Sequence, residues 1–386
     1  MKKRNVIADA MRGAAGLCIL LFHISEPYGW GGRVGNPGIV PQICGHGYLC
    51  VEFFLLLMGF MLARAYDRRW TEGMTIGQFF KRRLVRLHPL VVSGMLLGFF
   101  LYLTQLAGWT TFDAKMATMG FGQVVGLACL CLVMYPCFST SLLSPFNPCS
   151  WTLYYEYVAN LLYGLFVRKF NKVTLLVLSL VAGFWTVTFV MHVDLNALFG
   201  LHNSLLADVA ARTRDSIEIG WGVRPVDFYG GFVRLCFPFF FGLLLSRLGW
   251  KIRIPKFGLP ICLAVFLAIL FMPMPFGSMY QNGAYELLVL FVLLPLLLLA
   301  SEGTEVKSEK QAKFWAALAE FSYPLYMSHY PFMRLYNDWV RLHSHQYSAM
   351  TCVLIGVVLY MLIVGYAYLV MRFWDEKVRA FFTRRR

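Results

Sequence analysis

The chain has 386 residues, of which 59% are hydrophobic and only 14% are charged, and its mean hydropathy is +0.60. A soluble globular protein carries about a quarter charged residues. This composition excludes a soluble single-domain enzyme, because its repeated apolar runs are long enough to cross a bilayer core of about 30 Å. The sequence therefore predicts an all-α polytopic integral membrane protein.

Apolar runs, taken in chain order, predict ten transmembrane helices with both termini in the cytoplasm. The runs lie near residues 6–27, 48–66, 87–107, 151–168, 173–192, 229–248, 258–275, 283–301, 315–335 and 349–372. An eleventh run, roughly 121–146, is expected not to cross, because a crossing would place the basic turn at 168–172 outside. Three prolines between Pro136 and Pro148 favour a re-entrant or outward-facing hairpin, buried against other helices.

The net charge of +15 comes from 35 basic against 20 acidic residues. The basic residues cluster beside apolar runs, as in loops that are held on the cytoplasmic side of a membrane. Nucleic acid is not an expected partner, because no cluster lies in a soluble domain. The clusters are Lys2 to Arg4, Arg68 to Arg86, Arg168 to Lys172, Arg247 to Lys256 and Arg384 to Arg386.

The chain is predicted to form a single membrane-embedded domain over residues 1–375, followed by a basic cytoplasmic tail at 376–386. One long outer loop, 193–228, interrupts the pattern, and 205–214 within it could form a short interfacial helix. A loop of this length is either functional or a solvated connector, and both interpretations stay open. No cleavable signal peptide is expected, because the first apolar run lacks a small-residue cleavage site.

The ten cysteines do not form a disulfide scaffold in a chain of this size. Six lie inside apolar runs and are expected to act as small apolar residues. Cys44, Cys50, Cys137 and Cys149 lie near predicted outer ends, so one disulfide could form among them in an oxidising compartment. No C-x-x-C pair or His/Cys group has metal-ligand spacing, and the sequence therefore predicts no metal.

Ionisable residues inside membrane spans indicate a site, because burying them is costly. Arg12 and His23 share one face of the first span at a separation of roughly 16 Å along the helix axis. This places a cation near the cytoplasmic mouth and an imidazole deep in the bilayer. Asp9 is spaced to pair with Arg12, and Glu26 to orient the imidazole. A lone buried histidine is more often a core residue, so the other spans must support this interpretation.

Three further spans carry such groups. Glu52 stands at the outer edge of the second span, Glu156 opens the fourth among aromatics, and His329 lies among hydroxyls in the ninth. An interfacial aromatic belt explains the neighbouring Trp and Tyr residues but not Glu156. His329 is equally consistent with a polar path and with a core network.

Four cations precede the third span: Lys81, Arg82, Arg83 and Arg86. Arg83 and Arg86 lie one helical turn apart, and a planar guanidinium suits bidentate contact with phosphate. An ordinary cytoplasmic anchor is the alternative interpretation.

Five segments, taken in order, resemble acyltransferase family 3, the polytopic membrane enzymes that O-acylate carbohydrates at bacterial surfaces. Asp9 to His23 is similar to the family's Asp-Gly-Leu-Arg-Gly opening and its Arg-ten residues-His signature. Gly47 to Phe60 resembles Gly-Val-Asp-Phe-Phe-x-x-Ser-Gly-Phe, with Glu52 and Met58 replacing Asp and Ser. The other three are Arg83 to Pro89 for Arg-x-x-Arg-Ile-x-Pro, Ser150 to Glu156 for Trp-Ser-Leu-x-x-Glu, and Ser322 to His329 for Ser-Tyr-x-x-Tyr-Leu-x-His.

The resemblance implies transfer of an acyl group, with acetyl expected, from cytoplasmic acyl-CoA to a hydroxyl of a cell-surface or lipid-linked carbohydrate. It implies a bacterial inner membrane, membrane lipids as surroundings, acyl-CoA as co-substrate and no permanently bound cofactor. Direct transfer and an acyl-enzyme both stay open. The expected roles are catalysis for His23, Glu26 and Glu156, binding of acyl-CoA for Arg12, Arg82, Arg83 and Arg86, and binding of the acceptor for Glu52, Trp151, Tyr326 and His329.

The main alternative is a transporter in which His23, Glu52, Glu156 and His329 relay protons. The sequence shows neither an inverted repeat nor paired broken helices, which such transporters often have. A non-catalytic scaffold would leave the shared face of Arg12 and His23 unexplained.

Overall fold

In the computed structural model, all regular secondary structure among the described residues is helical. The predicted interfacial helix at 205–214, most of the predicted outer loop and the basic residues at 2–3 and 384–386 lie outside the described residues. The described residues are 4–26, 43–109, 113, 115–193, 195–200, 219, 222–274, 277–343 and 346–383.

Fourteen α-helices follow one another along the described residues, and two π-helical turns lie between some of them. The helices are α1 Val6–Ser25, α2 Cys50–Thr71, α3 Ile76–Leu106, α4 Phe121–Leu132, α5 Trp151–Leu165, α6 Lys172–Val190, α7 Leu195–Phe199, α8 Phe228–Leu248, α9 Gly258–Phe271, α10 Met279–Leu288, α11 Leu294–Gly303, α12 Glu309–His343, α13 Ala349–Val370 and α14 Glu376–Thr383. The π turns Val289–Leu293 and Met371–Asp375 join α10 to α11 and α13 to α14.

Seven helical stretches in the described residues are long and apolar enough to cross a membrane, which makes this an integral membrane protein. They are Val6–Ser25, Gly47–Thr71, Ile76–Leu106, Lys172–Val190, Gly230–Leu248, Tyr280–Gly303 and Met350–Thr383. The other three predicted spans coincide with α5, α9 and α12, of which α5 and α9 are shorter than the roughly 20 residues that a full span needs. The count of ten spans and the cytoplasmic termini stay predictions.

One end of the bundle gathers basic side chains from several helices, and we call it the basic end. Asn5 and Arg64 both contact Glu302, which joins the start of α1 to the ends of α2 and α11. Arg247 at the end of α8 binds Asp67 of α2 and the backbone carbonyls of Arg168 and Phe170, between α5 and α6. These contacts place the start of α1 and the ends of α2, α5, α8 and α11 at the basic end.

The described residues between α3 and α5 lie on the side away from the basic end. Helix α3 begins near that end and finishes at Leu106, while α5 runs back towards it and finishes at Leu165. The only α-helix among the described residues between them, α4, has 12 residues. This is shorter than a full span needs, and the non-crossing hairpin over 121–146 stays a prediction.

The hairpin packs closely against α3 because two glycines of that helix leave room for it. A Cβ at Gly98 would lie 1.8 Å from the carbonyl oxygen of Phe146, and one at Gly94 would lie 2.7 Å from Nδ2 of Asn147. Both hairpin residues are fully buried. Irregular backbone at membrane depth is tolerated where other protein segments surround it, as here.

Helices α1 and α12 lie parallel and very close together. A Cβ at Gly16 would come within 2.9 Å of Cβ of Ser322, and one at Gly13 would meet Leu318. Small residues allow two helix backbones to approach in this way. Seven residues further along each helix from Gly16 and Ser322, His23 and His329 face each other.

The Gly98→Ala variant should lower the thermal unfolding temperature in detergent, because a methyl group must push the hairpin out of its groove. Overpacking of this kind costs about 1–3 kcal/mol. The Gly126→Ala variant on α4 is the matched control, since nothing lies within 4 Å of its Cβ position. Equal unfolding temperatures for the two variants would contradict the close approach.

Candidate functional site

Two histidines and a cysteine, far apart in the sequence, meet beside α1. Nε2 of His23 lies 3.8 Å from Sγ of Cys149, and Nε2 of His329 lies 3.4 Å from the same sulfur. The two imidazole rings are stacked with centroids 5.3 Å apart. His329 and Cys149 are buried, whereas the side chain of His23 keeps 13% of its surface exposed. We call these three residues the His–Cys cluster.

The tautomer of His329 is set by its own helix. Its Nδ1 lies 2.8 Å from the carbonyl oxygen of Tyr326 and 3.2 Å from that of Leu325. Carbonyl oxygens only accept, so Nδ1 carries the proton and the lone pair of Nε2 faces Cys149.

A proline in α12 fixes the hairpin beside this histidine. Pro331 has no N–H group, so the carbonyl of Met327, four residues earlier, lacks its helical partner. Asn147 Nδ2 donates to that carbonyl at 2.8 Å. Tyr326 donates its hydroxyl proton to the carbonyl of Cys149 at 2.9 Å. These two bonds hold Cys149 against α12.

His23 lies in the last turn of α1, towards the end of the helix that is far from the basic end. Its Nδ1 is 3.1 Å from a carboxylate oxygen of Glu26, although the two groups are not aligned as a hydrogen bond. Tyr330 packs edge-on against the imidazole, with ring centroids 4.9 Å apart. The expected neighbour Glu26 is thus in place.

The predicted phosphate-binding arginines meet between α1, α3 and α5. Arg83 is buried and bonded to Glu156 at 2.7 Å. Arg86 interacts electrostatically with Arg83, Arg12 and Glu156. Arg12 keeps an exposed edge and lies 3.7 Å from Asp9. Arg82 and Arg86 are both exposed. We call Arg12, Arg83 and Arg86 the arginine cluster.

Glu156 therefore belongs to the arginine cluster and not to His23, which corrects the expected orienting role. Seven residues separate it from Cys149, about 10 Å along the helical chain. Glu156 lies one turn of α5 after Thr152, and its carboxylate accepts a hydrogen bond from Arg83. The carboxylate was visible in the sequence, but its partner depended on how α3 packs on α5.

Glu52, expected to bind the acceptor, forms a buried ion pair, and Trp151, expected to do the same, packs against that pair. Arg234 of α8 donates from Nε to Glu52 at 2.6 Å, and the exposed fractions of the two side chains are 3% and 0%. The guanidinium lies over the ring of Trp151 at 4.7 Å. Arg234, near the middle of the apolar run 229–248, is the sequence signal for this pair.

A separate surface cavity of about 520 Å³ lies at the basic end. Arg168 stacks on Trp70 there at 4.1 Å, and Arg247 holds Asp67 in a two-pronged ion pair. Lys169 and Lys172 also line the cavity. This group of cations is a second place where an anion could bind, and it provides a control for the arginine cluster.

The site combines an exposed edge of an imidazole on α1 with a cluster of arginines from α1 and α3, inside a bundle whose helices are long and apolar enough to cross a membrane. These features define a polytopic helical membrane protein with ionisable side chains gathered among its helices. The family described as an acyltransferase domain matches residues 5–371. The chain therefore belongs to acyltransferase family 3 and is a membrane acyltransferase.

Comparison with curated proteins and solved structures adds two findings. The protein called Protein 2 in picA locus, from Rhizobium radiobacter, is 31% identical over 191 residues, which cover 47% of this chain and 92% of that protein. No solved structure matches. The family membership does not favour the transporter alternative.

The Glu52→Gln variant should be destabilised by about 3–5 kcal/mol in detergent, because it leaves the buried charge of Arg234 without its counter-charge. The double variant Glu52→Leu with Arg234→Met should recover much of that loss, since it removes both charges. Denaturant unfolding monitored by circular dichroism measures both effects.

Glu72→Gln is the matched control for this test, because Glu72 follows the same helix but pairs with an exposed arginine. It should unfold close to the wild type. A Glu52→Gln variant that unfolds like the wild type but binds no acceptor would instead assign Glu52 to the substrate.

Proposed function

We propose that this membrane acyltransferase moves an acyl group, with acetyl expected, from cytoplasmic acyl-CoA to a hydroxyl of a cell-surface or lipid-linked carbohydrate in a bacterial inner membrane. The observation that carries the proposal is the placement of Arg12 and His23 on one helix, roughly 16 Å apart. That separation suits a donor with phosphates at one end and a thioester at the other.

The donor's phosphates bind the arginine cluster in this proposal, with Arg82 at its edge. Arg12 and Arg86 are closely surrounded by protein and yet remain accessible, as side chains that line a cleft do. Glu156 holds Arg83 in place and balances part of the positive charge. Guanidinium groups bind phosphate through paired hydrogen bonds, so two or three of them can grip a diphosphate.

The chemistry at the thioester requires a base near neutral pH. A neutral His23 with its proton on Nδ1, near Glu26, presents the lone pair of Nε2. That nitrogen takes the proton of the acceptor hydroxyl while the hydroxyl oxygen attacks the thioester carbon. The C–S bond then breaks, and the leaving CoA thiolate takes the proton from His23. Tyr326 and His329 border this position from α12.

Glu52 and Trp151 act at a distance in this proposal. Both are buried around Arg234, and Trp151 begins the helix that carries Thr152 and Glu156. Thr152 bonds the hydroxyl of Tyr326 at 2.8 Å. We therefore assign Glu52 and Trp151 a positioning role for α5, and the acceptor side of the site to Tyr326 and His329.

The first test is CoA release from acetyl-CoA by the purified protein in detergent, with and without a crude envelope glycan extract. The His23→Ala variant should lose the glycan-stimulated rate by about 10²–10⁴-fold, because it lacks the base. His343→Ala, at the far end of α12, is the control and should keep the rate. Equal turnover by wild type and His23→Ala would sink the proposed role of His23.

A second test separates donor binding from chemistry. Arg86→Ala should weaken acyl-CoA binding by about 10-fold or more, because a charge-assisted hydrogen bond is worth roughly 1.5–3 kcal/mol. Arg168→Ala, in the cavity at the basic end, should leave binding unchanged in the same titration. If Arg168→Ala weakens binding and Arg86→Ala does not, the donor binds at the basic end instead.

A further inference from the structure

With the proton of His23 on Nδ1, beside the carboxylate of Glu26, the His–Cys cluster has more lone pairs than its own hydrogen bonds can satisfy. Two imidazole Nε2 atoms face one thiol, at 3.8 and 3.4 Å. One S–H proton can serve only one of them. Nδ1 of His329 already donates to backbone carbonyls, so its Nε2 must accept. Nitrogen, nitrogen and sulfur ligands of this kind suit zinc and other soft divalent cations.

The distances are close to those of a metal site. In tetrahedral zinc, a nitrogen at about 2.0–2.1 Å and a sulfur at about 2.3 Å from the ion lie roughly 3.6 Å apart. All three ligand atoms of the His–Cys cluster lie within 4.8 Å of one another. Shifts of about an ångström in the side chains would bring them to zinc geometry.

The surroundings of the two imidazoles also match those of metal ligands. A ligating histidine usually directs its other ring nitrogen to a carboxylate or a backbone carbonyl. His329 directs Nδ1 to the carbonyls of Leu325 and Tyr326, and His23 places Nδ1 beside the carboxylate of Glu26. Three protein ligands leave a fourth position, which water can reach at the exposed edge of His23.

We propose that His23, Cys149 and His329 form a binding site for a soft divalent cation, with zinc as the ion that fits best, and that the bound ion blocks acyl transfer. On binding, Cys149 gives up its thiol proton to solvent and ligates as thiolate. Nε2 of His23 then donates its lone pair to the metal and can no longer accept a proton from the acceptor. The binding half stands on geometry alone, and the blocking half rests on the proposed function.

Cobalt is the probe for binding, because a thiolate ligand gives bound Co²⁺ a charge-transfer band in the near ultraviolet. The full-length protein, stripped with a chelator in detergent, should show this band with one Co²⁺ per chain. Zn²⁺ should remove the band in competition. The Cys149→Ser variant should lack it, whereas Cys352→Ser, at a buried cysteine of α13, should keep it.

A second variant guards against misfolding of Cys149→Ser. Glu26→Gln keeps all three ligands and should weaken zinc binding by about 10–100-fold, the usual effect of losing a partner of a ligating histidine. Absence of the band in the wild type, or its survival in Cys149→Ser, would overturn the site.

The blocking half is tested by CoA release. Stoichiometric Zn²⁺ should abolish the glycan-stimulated rate of the wild type, and EDTA should restore it. Stimulation by zinc, or no effect while the competition with Co²⁺ shows zinc bound, would overturn this half. If the protein releases no CoA under any condition, the proposed function fails, while the cobalt measurement still decides whether the metal site exists.

Discussion

The close approach of α1 to α12 is the constraint on which the site depends. Gly16 and Ser322 leave no room for larger side chains, so the two helices run parallel with their backbones almost in contact. Each histidine lies seven residues beyond this contact on its own helix, so His23 and His329 lie at the same level. Neither histidine is unusual within its own helix. Their stacking follows from one glycine on α1 and from the direction in which both helices leave the basic end.

Burial of charge shapes the rest of the bundle. An isolated charge in a low-dielectric interior is costly, and a counter-charge with good geometry offsets that cost. Glu52 pairs with Arg234, Glu156 with Arg83 and Asp67 with Arg247, and each pair joins helices that are distant in the sequence. These pairs orient α2, α5 and α8. Arg12, Arg86 and His23 keep exposed edges, and the proposed function assigns all three contact with substrate.

The packing of the hairpin before α5 depends on two glycines and one proline. Gly98 lacks the Cβ atom that would meet the carbonyl of Phe146, and Gly94 lacks the one that would meet the side chain of Asn147. Pro331 lacks the N–H group that would otherwise bind the carbonyl of Met327. Asn147 uses that carbonyl, and Cys149 is thereby placed between the two histidines. The hairpin enters from the side opposite the basic end. It brings the sulfur of Cys149 and the start of α5 to the site from that side, whereas the arginine cluster lies on the other side.

The sequence by itself determined the helical membrane class, the positions of the apolar helices and the five segments of the acyltransferase family, because hydropathy, charge clusters and short motifs are local properties. It also predicted the pairing of His23 with Glu26, since residues three apart share a helix face. Tertiary structure alone decided the partners of Glu156 and Glu52, and the meeting of Cys149 with two histidines. These contacts join residues up to 182 positions apart in the chain, and helix packing, which depends on side-chain shape at every interface, brings them together.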